Sequence, residues 1–521
     1  MWSDRRRLVS LLGSVIIALS AGSVYVFSSY APQVQNRLHL SSLQLNLLAI
    51  ASNMGLYISG PIWGRIVDRN GPYTALWFGA ACTLVGYGAF SYAYTKGWDD
   101  IPVALLSLFM FFSGVGNQAA LCGSINVQAK SWGGNHRGTA MAIVLSAFAL
   151  SAFMYSTVSR VFFDNNVGGY LLSLAIGSSA SFVIGSLMIK VIPPDVSELE
   201  ARWSHVPDGE QPEPARPRLA RSSSELSGEA YAWSQQHAGY AADPDSEDPF
   251  DEPTAHHNEV SGTALLKNTD FLLLFSLLGL ISGAGLVLIN NVGVITHALW
   301  DYNHRKNAGR TAGILLKKSA EQLQHVQAAQ VSLISLANAF SRINTGFLSD
   351  LIATMSHDPT RRSVLLLVVT LVAVLSQLLS AWPGVIVNVD RLLYVSIATG
   401  LMYGMLFGLC PVLVFEWFGE GSFSQNWGWM SWGPVITGNA YNLWFGYVYD
   451  SHVKPTSHSH TCHLGSECYR SVFYVTTVGC FIAFVISVVL VMRRANGAYE
   501  RVQRLVNGIF QGVSGGRLVL H

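Results

Sequence analysis

Apolar runs of about twenty residues recur twelve times along this chain, and no other feature limits its fold so strongly. They lie near residues 8–30, 43–63, 73–95, 102–126, 138–162 and 169–192, then 270–298, 327–349, 362–382, 391–416, 427–449 and 471–492. About 20 helical residues cross a hydrocarbon core of about 30 Å. In lipid only helices and closed barrels satisfy their own backbone polar groups. A barrel would alternate over segments of about ten residues, and no such alternation is present. The expected fold class is therefore all-α integral membrane, with twelve transmembrane helices in a lipid bilayer. The low charge agrees: 12% of residues are charged, against about 25% in soluble domains. A net charge of +1 offers no basic surface for nucleic acid. The first run follows MWSDRRR and imitates a secretory signal with a cleavage site. Its continuation through VYVF reads instead as an uncleaved first span.

Between the sixth and seventh runs the character changes. The stretch contains RWSHVPDGEQPEPARPRLARSSSELSGE and DPDSEDPFDEP, rich in Pro, Ser and acid. Such composition buries too little apolar area to offset chain entropy, so residues 195–265 are expected to be a disordered linker. RSSSELS is either a phosphorylation patch or plain solvated chain. The resulting division is 1–194, a six-helix bundle; 195–265, the linker; 266–495, a second six-helix bundle; and 496–521, a tail. The halves echo each other. GRIVD at 64–68 returns as GFLSD at 346–350, an offset of 282, and the stretch Gly114 to Asp164 returns as Gly400 to Asp450, an offset of 286. Parallel six-helix repeats are the pattern of one large transporter architecture.

Lys and Arg in short loops set orientation. Arg5, Arg6 and Arg7, Arg65 and Arg69, Lys130 and Arg137, Arg361 and Arg362, and Arg493 and Arg494 all fall on one side when both termini are cytosolic. The longer loop after span 7, with Arg305, Lys306, Arg310, Lys317 and Lys318, is the exception.

The turn GRIVDRNGP between spans 2 and 3 carries Gly64, Asp68, Arg69 and Gly71. This Gly-x-x-x-Asp-Arg-x-Gly pattern resembles the signature of the major facilitator superfamily. In that family the resemblance implies a gate, with the Asp capping or pairing with a neighbouring helix when the cytosolic side closes. Gly64 would admit a close helix approach, and Asp68 could sit at a helix N-terminus or pair with Arg. Gly346 and Asp350 are the counterparts in the second half. A purely topogenic loop is the competing reading. Tyr25-x-Phe27-x-x-Tyr30, Asp68-Arg69-x-Gly71-Pro72, RGTAMAIVLSAFALSAF in span 5 and LINNVGVITHALW in span 7 narrow the likeness. Together they resemble the nodulin-like branch and the fungal, vacuolar Mch-type homologues of monocarboxylate transporters. That resemblance implies a vacuolar membrane, with the plasma membrane as the alternative.

Arg342 lies eight residues before Asp350, roughly 12 Å deeper along a helix. That approaches the bilayer midplane, where an Arg must face a cavity and hold a partner. Guanidinium matches a substrate carboxylate bidentately. A structural role, bonding helix-end carbonyls or an acid of the gate, is equally open. In monocarboxylate transporters an Arg occupies the same place with an Asp one turn earlier; here that position is Asn338, which removes the acid that would help couple a proton. Other mid-span polar groups are Asn53, Asn117, Gln118, Asn290, Asn291, Asn439, Asn442, Tyr25, Tyr155 and Tyr403. Asn290 and Asn291 beside Gly293 are the preferred candidates, because transporters place sites at broken helices near the midplane. Each such residue is individually more often an interhelical hydrogen bond than a ligand.

The loop SHVKPTSHSHTCHLGSECYR offers zinc-type ligands, but Cys462 and Cys468 fit no common zinc spacing. On the non-cytosolic side a disulfide is the favoured reading. No Asn-x-Ser/Thr sequon occurs. Walker and His-Glu-x-x-His motifs are also missing, so neither enzyme chemistry, a cofactor nor a metal is expected. The expectation is a monomeric secondary transporter for a small solute, a monocarboxylate or other organic anion, with proton coupling open. A non-transporting sensor on the same fold is the rival.

Overall fold

A computed structural model of the chain describes residues 4–40, 42–97, 101–133, 135–163, 166–193, 260–307, 315–356, 359–452, 462 and 464–514. Most of the expected linker, residues 195–259, and most of the histidine-bearing loop lie outside the described residues. The described chain is helical throughout, without a β-strand. Helices occupy all twelve expected span positions. Eight are long and apolar enough to cross a membrane by length and composition. The helices at spans 2, 3, 8 and 11 fall outside that group. Spans 2 and 11 are broken, and span 8 carries Arg342 and Asp350.

The breaks follow local chemistry. Span 1 runs as an α-helix over Arg5–Ala21 and tightens to a 3-10 helix over Gly22–Ser29. A Cβ at Gly22 would overlap the Ser151 side chain, so the glycine lets span 1 lie directly on span 5. Span 2 divides into Ser42–Ile58 and Gly60–Asn70, the second piece beginning Gly60-Pro61. Proline lacks the N–H that would continue the ladder but suits a first helical turn. Span 11 divides likewise into Phe423–Met430 and Trp432–Ser451. Span 7, by contrast, is one continuous helix over Thr269–Asn307. The break expected beside Asn290 and Asn291 therefore belongs to spans 1, 2 and 11 instead.

Gly71 ends span 2 at φ +81°, a conformation that costs glycine least. It makes the turn into span 3, Pro72–Lys96. Asp4 caps span 1 by accepting from the Arg6 N–H at 2.9 Å. Asn268 caps span 7 by accepting from the N–H groups of Asp270 and Phe271. Span 12 extends as helical backbone over Arg470–Ser514, so most of the expected tail continues the helix. Residues 260–265, expected as the end of the linker, are also ordered. Leu265 is buried in a 3-10 turn, the Val260 N–H donates to the Phe418 carbonyl, and Asn426 donates to the Val260 carbonyl at 2.9 Å.

The halves repeat in packing as well as sequence. Gly114 of span 4 meets the Ser52 carbonyl of span 2, and Gly400 of span 10 meets the Ile334 carbonyl of span 8. These pairs keep the offsets of 282 and 286 found in the sequence. In each half a glycine lets two backbones touch, where any side chain would hold them apart.

Candidate functional site at the seam between the halves

Two carboxylates cross between the halves at the end of the bundle that holds the 64–72 turn. Asp68, at the end of span 2, accepts hydrogen bonds from the backbone N–H of Ser424 at 3.1 Å and of Gln425 at 2.8 Å. Those groups open the first piece of span 11, so Asp68 caps a helix of the opposite half. Asn126 of span 4 donates to the same carboxylate at 3.1 Å and to the Ser424 hydroxyl at 2.6 Å.

Asp350, at the end of span 8, does the same in mirror order. It accepts from the N–H of Gly138 at 3.0 Å, the N–H of Thr139 at 2.6 Å and the Thr139 hydroxyl at 2.7 Å. These residues open span 5, Arg137–Phe162, of the first half. The repeat offsets hold here too: Asp68 maps to Asp350, and Gly138 and Thr139 map to Ser424 and Gln425. A fully buried cation at this end, Arg362, has Nη2 3.1 Å from Asp350 and Nη1 3.2 Å from Glu416. Arg69, expected as part of the latch, is exposed.

Glycines bring the capped helices together. A Cβ on Gly64 would overlap the Ser424 carbonyl; one on Gly346 would lie 2.6 Å from the Gly138 carbonyl oxygen. Further in, a Cβ on Gly428 would meet Gly60 at 2.5 Å. The seam between spans 5 and 8 continues inward, where the Ser146 hydroxyl donates to the Ala339 carbonyl at 3.0 Å.

At the inner end of that seam stands Arg342, 4% exposed. Its Nε donates to Asn338 Oδ1 at 2.9 Å, and its Nη1 crosses to the Leu145 carbonyl at 2.8 Å. The guanidinium also lies over the Phe407 ring, 5.2 Å from the centroid. Nη2 makes no hydrogen bond among the described residues, yet it is not among the polar atoms sealed from solvent. The hydroxyls of Tyr25, Tyr57 and Tyr403 lie within electrostatic reach of the guanidinium. Tyr25 and Tyr57 share a hydrogen bond at 2.7 Å. Tyr25 also packs edge-on against Phe148, and Tyr403 against Phe407. The result is one guanidinium nitrogen without a protein hydrogen bond, among phenols and aromatic rings drawn from both halves. An anion with an apolar or hydroxylated body suits that lining.

Of the sequence candidates, Arg342, Asn338 and Tyr25 come together here, whereas Asn290 and Asn291 do not join them among the described contacts. Asn291 bonds the Val287 carbonyl and Asn442 Oδ1, tying span 7 to span 11, and Asn290 is exposed. Tyr57, Leu145 and Phe407 were not legible as site residues. A tyrosine, a backbone carbonyl and a phenylalanine in apolar runs carry no signal until the helices cross. At the opposite end Cys462 and Cys468 are joined, with Cα atoms 6.1 Å apart, and both are buried. No group of three metal-ligating side chains occurs among the described residues.

Comparison with known proteins agrees with this architecture. The Nodulin-like family model matches residues 7–205. A "Probable transporter mch1" of Neurospora crassa is 25% identical, over 92% of this chain and 87% of its own. A "Probable transporter MCH1" of Yarrowia lipolytica is 27% identical, over 89% of this chain and 88% of its own. Among solved structures, the proton:xylose symporter XylE superposes with a TM-score of 0.55 at 12% identity, over 90% of this chain and 94% of that one. The chain has the major facilitator fold, and by sequence it is similar to the nodulin-like family and to Mch1-type probable transporters.

Proposed function

We propose that this protein is a secondary active transporter that moves a small organic anion, a monocarboxylate in the first instance, by alternating access. The observation that carries the reading is the pair of crossed caps above Arg342. Asp68 and Asp350 each hold a helix N-terminus of the other half, so the halves separate at that end only when both caps release. Gly64 and Gly346 set the close approach, and Gly71 shapes the turn that presents Asp68. Arg342 supplies the positive charge, Nη2 the open donor, and Asn338 the neutral acceptor that orients the guanidinium. Tyr25, Tyr57 and Tyr403 contact the body of the solute. The protein works as a monomer in the vacuolar membrane with both termini in the cytosol, which places the capped end on the cytosolic side. The likeness to Mch-type proteins and the Lys and Arg bias support that placement.

The test is uptake of labelled monocarboxylates, dicarboxylates and amino acids by vesicles holding the purified protein. Arg342→Gln should abolish uptake of the anion that the wild type accumulates, at equal protein level. Unchanged uptake by that variant overturns the anion site.

One observation favours a second reading, a solute sensor signalling through the linker. The end of the linker is bonded to Phe418 and Asn426, and Asn426 lies on the short helix that Asp68 caps. A sensor loses its output when residues 195–259 are removed and moves no solute; a transporter keeps its flux.

A further inference from the structure

The twelve spans hold a single charged residue away from their ends, Arg342, and no Asp or Glu away from their ends. In the structure its direct partners are neutral: an amide oxygen of Asn338, the Leu145 carbonyl and the face of Phe407. The groups facing it from other elements are the phenols of Tyr25, Tyr57 and Tyr403, which are uncharged at neutral pH, with an ordinary pKa of about 10. The nearest carboxylates along the seam, Asp350 and Asp68, are engaged in their caps at the end of the bundle. Among the described residues, the surroundings of Arg342 therefore hold one positive charge and no carboxylate to balance it.

We infer that the protein is an anion exchanger, in which the halves change sides rapidly only with an anion on Arg342. The inference rests on the reading of Arg342 as the anion site. To pass between its two open forms, the carrier must go through a state closed at both ends, in which the chamber sheds water. With a monocarboxylate bound to Nη2, the chamber crosses that state neutral and charge-paired. Empty, it crosses with a desolvated guanidinium that has used two of its five donors. A single Arg at the bilayer centre is costly enough to slow a step by roughly 100-fold, taking the lower, insertion-derived figures for that cost. The solute thus serves as the missing counter-ion, and each anion carried inward is matched by one carried outward. No proton is needed for the cycle, because no carboxylate of the chamber is available to bind one.

The consequence is specific for the position one turn before Arg342. Asn338 Oδ1 already accepts from Nε, so a carboxylate there would neutralise the guanidinium without moving it. Asn338→Asp should free the empty carrier to return.

The experiment uses the full chain reconstituted in vesicles, with labelled monocarboxylate outside and the membrane potential clamped. One set is loaded with the same unlabelled carboxylate, the other with zwitterionic buffer and sucrose. The expected result is uptake roughly 100-fold faster into the carboxylate-loaded set, unchanged by an imposed pH gradient. In Asn338→Asp that ratio should fall toward one. Equal wild-type uptake into both sets overturns exchange and leaves the anion transporter standing. Uptake that requires the pH gradient overturns it as well. No carboxylate uptake in either set, from protein that is monodisperse and melts cooperatively, overturns the anion reading itself and exchange with it.

Discussion

Asp68→Ala removes one of the two crossed caps, and its effect can be sized from the contacts it breaks. In the closed seam Asp68 accepts from two backbone N–H groups that begin a helix of the other half. When the seam opens, those donors meet water, so the net loss is that of a helix cap rather than of two hydrogen bonds in vacuum. Replacing a capping Asp by Ala costs about 1–2 kcal/mol, which shifts the closed–open equilibrium about 5- to 30-fold. Asp68→Asn keeps one acceptor oxygen, but it loses the second, which accepts from the other backbone N–H, together with the interaction of the charge with the helix dipole, about 0.3–1 kcal/mol; its shift lies between about 2-fold and that of Asp68→Ala. Asp350 remains, so neither variant holds the seam permanently open. The assay is the maleimide labelling rate of Ser146→Cys in permeabilised membranes, with the four free cysteines replaced by alanine. Ser146 is buried in the span 5–span 8 seam and touches neither Asp68 nor its partners. Its labelling therefore reports opening of the whole end as a rigid body. The expected order is wild type, then Asp68→Asn, then Asp68→Ala. Equal rates in all three refute the cap, and an Asn variant as slow as wild type refutes a role for the second carboxylate oxygen and the charge.

Other consequences can be checked with the same chain. Gly64→Ala places a methyl against the Ser424 carbonyl, where only backbone could yield; the Ser146→Cys reporter should label faster than in Asp68→Ala, and a slower rate refutes the close approach. Arg362→Gln leaves Asp350 and Glu416 buried without their shared cation. Breaking a buried pair costs about 3–5 kcal/mol, so thermal stability should fall sharply, with partial recovery on adding Glu416→Gln. Cys462→Ser with Cys468→Ser opens a loop of sequence separation 6, worth about 2 kcal/mol in the chain-entropy model. The melting temperature should drop by a few degrees while labelling of the Ser146→Cys reporter at the far end stays unchanged.

The sequence by itself determined the number and type of elements and the division into halves. Apolar length is a property of each segment alone, since a run must match the thickness of lipid wherever it ends up. The repeat was legible for the same reason: GRIVD and GFLSD are local strings. Arg342 stood out because one charge in an apolar run is conspicuous without any neighbour. What pairs across the seam was decided only in the tertiary structure. The sequence reading left Asp68 a helix N-terminus or an Arg as partner, and only the fold decided that the carboxylate meets two backbone N–H groups more than three hundred residues away. Backbone donors exist at every position, so sequence cannot say which helix end will be offered to which acid. Likewise, Asn291 and Asn338 are both amides in mid-span. One ties span 7 to span 11 and the other orients Arg342, and the difference is the rotation of each helix against its neighbours. That rotation is set by where glycines let backbones touch, at Gly64 on Ser424 and at Gly346 on Gly138, and a contact of this kind belongs to two segments at once.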